Sequence, residues 1–144
     1  MARLKSDSAQ TIVTTALAEG KKRNLAPLCV VVLDAGGHPL LIWRDDRCGI
    51  GRGEIALAKA SGCLAMGFGG RELARRAAAM PGFYAALNGL MPKGLIPAPG
   101  GVLIRDAEGD VIGAVGISGD TGDNDEICAL AGIEAAGLVA EVGA

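Results

Sequence analysis

Apolar positions along the chain follow two rhythms, one helical and one extended. Ala9, Ile12, Val13, Ala16, Leu17 and Gly20 recur at helical spacing and predict an amphipathic helix over about 6–23. A continuous β-branched run, LCVVVLD, comes next, and after a Gly-Gly turn the chain continues as HPLLIWR. The same syntax returns late: GVLIRD, a turn at Ala107-Glu108-Gly109, then DVIGAVGIS. Side by side, Asp34-Ala35-Gly36-Gly37-His38 matches Asp106-Ala107-Glu108-Gly109-Asp110, with an Asp opening a short Gly-containing turn in each case. Two equivalent hairpins in one antiparallel sheet are expected.

Helical patterns fill the space between the hairpins. One helix is predicted over about 53–67. RELARRAAAM forms a second, with a basic face, and PGFYAALNGLM a short third. Pro81 suits a helix start, where its missing N–H costs nothing. The segment MPKGLIPAPGG is too punctuated by Pro and Gly for regular structure and reads as a shaped loop. A last helix is predicted over 123–142, with Ile127, Leu130, Ala131, Glu134 and Leu138 at its spacing. The expectation is one α+β domain over 1–144, a sheet built from two β-hairpins and covered by helices.

Composition narrows the partners. The chain has 144 residues, half of them apolar but only 3% aromatic, with 23 glycines. Its core must therefore be Val, Ile, Leu and Ala packed against bare backbone. A net charge of −2 and one short basic cluster, Lys21-Lys22-Arg23, leave no footprint for nucleic acid or an anionic membrane. Those three cations complement the dipole at the end of the first helix. The longest apolar run, 25–33, contains a proline and is too short to span a bilayer. The N-terminal residues lack the apolar segment of a signal peptide, so a cytoplasmic location with reduced thiols is expected. Cys29, Cys48, Cys63 and Cys128 show no C-x-x-C pairing, and with a single histidine they argue against a structural zinc site.

Lys59 is the most informative residue. It is the only charged side chain between Ile55 and Gly70. A lysine in an apolar helix calls for a carboxylate, a ligand or a catalytic task. Either it reaches solvent or a structural carboxylate along its own stem, or its ammonium holds an anionic ligand or acts as a base. Gly62, one turn on, leaves room beside it. The acidic loop GDTGDNDE reads as a helix start with Asp123 as N-cap and Glu126 completing a capping box; Asp125 or Glu126 could instead partner Lys59. It lacks the ligand order of an EF-hand. GIGRGE, residues 49–54, fails the dinucleotide fingerprint because Glu54 stands at the third glycine. His38 aligns with an ordinary turn Asp. Arg44, Asp45 and Asp46 close the second strand and either pair together or line a pocket mouth.

In order and spacing, VVVLDAGGHPLLIWRDD, IALAKASGC, PAPGGVLIRDAEGDVIGAVGISG and DNDEICALAGIEA resemble the GlcG/HbpS family, which includes the C-terminal domain of PduO-type proteins. The resemblance runs from about Ala9 to Ala136. It implies a profilin-like α/β/α sandwich with a five-stranded antiparallel sheet, a homo-oligomer, and a small-molecule ligand, with haem or another tetrapyrrole as the cofactor class. The family's recurring positions fall on Lys59, on Arg44 and Asp46, on Pro99, Gly100 and Gly101, and on Asp125. Haem requires an axial ligand. With the only histidine at a turn, the other candidates are Cys48, Tyr84 and Met91. The alternative function is an enzyme acting on a small carboxylate-bearing metabolite. There Lys59 would hold or deprotonate the substrate, Gly100 and Gly101 would offer N–H groups, and Asp125 would orient Lys59.

Overall fold

The two aspartate turns close in the same way, bond for bond, in a computed structural model that describes residues 3–143. Asp34 Oδ1 accepts from the N–H groups of Gly36 and His38 at 2.9 and 3.0 Å. Asp106 Oδ1 accepts from Glu108 and Asp110 at 3.0 and 2.9 Å. In each turn the glycine in the fourth place has positive φ, 82° at Gly37 and 89° at Gly109, a conformation that costs glycine little. Each hairpin also carries one register slip beside its turn.

The strands are β1 (Cys29–Asp34), β2 (Pro39–Arg44), β3 (Gly101–Arg105), β4 (Val111–Ser118) and β5 (Val139–Glu141). They form one antiparallel sheet in the order β2-β1-β4-β3-β5, so the hairpins join through β1 and β4. The helices are α1 (Ser6–Lys22), α2 (Arg52–Met66), α3 (Gly70–Ala79), α4 (Pro81–Leu87) and α5 (Gly122–Ala135). Strand alternation sends Val30, Val32, Val102 and Ile104 into a core shared with α1 and α5. Cys29, Val31, Leu33 and Leu103 enter a second core with α2, α3 and α4. The result is α+β with helices on both faces of a five-stranded antiparallel sheet, as expected.

Two expectations need correction. The last helix does not run over 123–142. It ends at Ala135, Gly137 takes φ of 74°, and Val139–Glu141 becomes the fifth strand beside β3. Apolar spacing could not separate these because a three-residue edge strand carries no period of its own. The N-cap of α5 is Thr121, whose hydroxyl accepts from Asn124 N–H at 3.2 Å, rather than Asp123.

A pair of facing glycines sets the depth at which α2 packs. Gly101 and Gly116 are cross-strand partners on β3 and β4. A Cβ on Gly116 would stand 1.9 Å from the Ala56 carbonyl oxygen, and one on Gly101 2.7 Å from that of Lys59. The sheet is thus bare where the helix backbone lies against it, and Lys59 is carried to the sheet's end.

Candidate functional site

Lys59 belongs to the α2 layer, yet its ammonium bonds a residue of the opposite layer. Nζ donates to the Ile117 carbonyl at 2.9 Å and to Asp125 Oδ2, on α5, at 3.1 Å. The route lies beside Gly100, whose Cβ, were there one, would sit 2.8 Å from Nζ. Gly100 has φ of 110° and its carbonyl accepts from Ile117 N–H, which fixes the loop at this point. The second carboxylate oxygen of Asp125 accepts from Asp120 N–H at 3.1 Å. Lys59 is 5% exposed and Asp125 1%. Burial pushes the Asp125 carboxyl above the usual carboxylate range, against the pull of the Lys59 charge and the Asp120 N–H.

Lys59, Asp125, Gly100 and Gly101 therefore meet, with Pro99 alongside over Gly122. Arg44 and Asp46 stand apart from that cluster. Both are exposed, Arg44 lying against Gly53 at the start of α2 and Asp46 on the wall of another hollow. Sequence reasoning missed Arg71. Its guanidinium bonds both oxygens of Glu126, at 2.9 and 3.2 Å, and Asp123 at 2.8 Å. Glu126 is thus occupied by α3 and is not the partner of Lys59. The signal was available as a basic run, RELARR, facing an acidic one, DNDE.

Two hollows lie away from Lys59. One, of about 250 Å³, is bounded by the end of α1, the 25–28 segment, Asp45 and Asp46. The other, of about 240 Å³, is a slot between the β1–β2 turn, the second half of α2 and the 91–93 segment. Ala35, Gly36 and Gly37 form one wall, Ser61, Leu64 and Ala65 another, and Met91, Pro92 and Lys93 close it. Ser61 Oγ donates to Gly94 O at 2.7 Å and ties that segment to α2. The Lys93 ammonium reaches the mouth, 3.9 Å from where a Cβ on Gly37 would stand. The His38 imidazole lies over Gly36, 3.2 Å from where a Cβ on Gly36 would stand.

The haem donors expected from the sequence separate on this geometry. Tyr84 is 4% exposed, in the α2–α4 core against Phe83, and cannot meet an iron without unpacking. Cys48 is half-buried and burial pushes its thiol upward, which disfavours the thiolate an iron would need. Met91 lines the slot with a neutral thioether that ligates without losing a proton. The slot is apolar, cationic at its rim, and smaller than a pocket that encloses a drug-sized ligand, about 300 Å³ or more.

A family model described as "Haem degrading protein HbpS-like" matches residues 4–134. No curated protein sequence matches the chain significantly. Among solved structures, HbpS is 27% identical, with 93% of this chain and 90% of that one covered and a TM-score of 0.81. The Klebsiella pneumoniae protein ORFY is 27% identical over 95% and 93%, with a TM-score of 0.82. A PduOC complex with haem superposes with a TM-score of 0.84 over 99% and 100%, at 24% identity, a likeness of fold.

Proposed function

Because this chain belongs to the HbpS-like family, we propose that it is a small-ligand-binding protein whose ligand is haem or a closely related tetrapyrrole. The observation that carries the reading is the family match across 131 of 144 residues (4–134). It is supported by a slot with an apolar lining of Leu64, Ala65 and Met91 and the Lys93 ammonium beside it, features that suit the apolar edge and a carboxylate of a small ligand. Bound haem would supply a redox-active iron. The chain's own residues would hold it by its apolar edge, pair with its carboxylates and limit access of water to the metal.

The alternative, an enzyme using Lys59 on a small acid, receives less support. Both hydrogen bonds of that ammonium go to protein acceptors, and neither of the two hollows described above is lined by it. In this reading Lys59 and Asp125 position the Pro99–Gly101 segment and the start of α5. Arg44 and Asp46 then contribute at the surface, outside the ligand's contacts. Self-association belongs to the same proposal: Met80, Phe83 and Leu90 are exposed on and beside α4, and a second subunit would cover them.

Hemin titration tests the ligand. A saturable Soret shift at one haem per chain supports the reading. An unsaturable change that grows with hemin excess and matches that of an unrelated protein discards it.

A further inference from the structure

We propose that Arg44 on β2 and Arg52 on α2 form an oxyanion site at the end of the sheet beside Cys48, for the carboxylate or phosphate group of a small metabolite. The site lies outside the haem reading and does not depend on it. Arg23, Arg71, Arg75, Arg76 and Arg105 each meet a carboxylate. Among the described residues Arg44 and Arg52 meet none, although three carboxylates lie close in sequence. Asp45 and Asp46 line the hollow beside α1 instead. Glu54 is two residues from Arg52 along α2, a spacing at which helical side chains do not face each other.

Strand register brings the two arginines together. Cys29 pairs with Arg44 on β2 and with Ser118 on β4, so the three side chains stand in a row on the α2 face of the sheet. The first turn of α2 lies over that row. Arg44 Cδ and Cys29 Sγ come within 3.7 and 3.8 Å of one point, where a Cβ on Gly53 would stand, so the Arg44 stem runs along the helix start. From the other side, Arg52 Nη1 donates to Ser118 Oγ at 3.3 Å. Ser118 is fully buried, and its hydroxyl proton reaches no acceptor among the described residues, so its one contact serves to hold that guanidinium. The two anchor points, Arg44 and Ser118, are two strands apart, about 10 Å, a gap that two long side chains and one small anion fill. The Cys48 thiol feels both arginine charges. Two cations held this close repel each other, and an oxyanion between them removes the repulsion. The forked N–H groups of a guanidinium match the paired oxygens of a carboxylate or phosphate.

The experiment titrates wild type, Arg44→Gln, Arg52→Gln and Lys22→Gln with inorganic phosphate and with succinate by calorimetry, at constant ionic strength in chloride. Wild type is expected to bind one equivalent, and whichever anion binds more tightly names the ligand's acidic group. Arg44→Gln and Arg52→Gln are each expected to bind at least about tenfold more weakly, the scale of a lost charged hydrogen bond. Lys22→Gln removes an exposed cation at the end of α1 and is expected to match wild type. Arg44 is exposed, so Arg44→Gln keeps its fold, which circular dichroism verifies. Alkylation of Cys48 by iodoacetamide gives a second readout. The bound anion should slow it in wild type and leave it unchanged in Arg44→Gln. No saturable binding of either anion overturns the assignment. Binding that both Gln variants retain overturns it too, as does a wild-type Cys48 rate that neither anion changes.

Discussion

Lys59 and Asp125 form an ion pair of 3.1 Å that joins helices on opposite faces of the sheet. α2 lies on one face and α5 on the other, so the bond passes the end of the sheet where β4 stops and the Pro99–Gly101 segment turns in. Arg71 makes a second link from α3 to α5 through Glu126. The start of α5 is thus pinned twice by cations from the other layer.

Removing one partner of a buried pair leaves an uncompensated charge and costs about 3–5 kcal/mol. Lys59→Met should therefore lower Tm by about 10 °C. Its pH dependence has a definite sign. Without the ammonium, burial dominates and holds the Asp125 carboxyl further above its unfolded value of about 3.9. The folded variant then keeps a proton that the unfolded chain has released, so its stability falls as pH rises from about 4 through the raised folded pKa. Thermal melts of Lys59→Met between pH 4.5 and 8 check this. Lys59→Met combined with Asp125→Leu should recover part of the loss and flatten the pH dependence.

Gly116→Ala should cost about 3 kcal/mol, because its Cβ must displace the α2 backbone from the sheet. Gly82→Ala provides the contrast. A Cβ there meets nothing within 4 Å, and Gly82 lies within α4, so that variant should gain about 0.5–1 kcal/mol. Urea denaturation of the two reads both signs.

Thiol labelling should distinguish Cys48 from the other three cysteines. Cys29, Cys63 and Cys128 are buried, and burial pushes their thiols up to about 11, 12 and 11. Cys48 is half-buried beside Arg44 and Arg52, whose charges oppose the upward push. Native protein at pH 8 should consume one equivalent of a disulfide reagent, and four after unfolding. Cys48→Ser should abolish the native reaction.

Phe83→Glu should shift the sedimenting species toward the monomer, since Phe83 is 52% exposed beside Met80 and Leu90. A charge at that face would be desolvated in any assembly that covers it. Equal mass for wild type and variant would place subunit contacts elsewhere.

The strands of both hairpins and the helices α1 to α4 were legible because apolar spacing and turn chemistry agreed over each of them. The Asp34 and Asp106 turns were readable as matching Asp-opened, Gly-containing turns, whose hydrogen bonds only the structure shows. β5 was not, since Val139–Glu141 follows α5 with only Ala136, Gly137 and Leu138 between and looks helical in composition. Lys59 drew attention through its isolation. Its use could not be read, because the choice between a ligand and Asp125 depends on how closely α2 approaches the sheet, a distance set by Gly101 and Gly116 far apart in sequence. The slot was invisible for a similar reason: its walls come from 35–37, 61–65 and 91–93, and no local pattern links them.

The most direct measurement is hydrogen exchange of the wild-type protein with and without one equivalent of hemin. Ligand at the mouth of the slot should slow exchange at Gly36, Gly37 and His38 and across Lys93 and Gly94, leaving Asp120 to Asn124 as before. Protection confined to Asp120–Asn124 and Gly100–Gly101 would contradict this and return the ligand to the Lys59–Asp125 cluster.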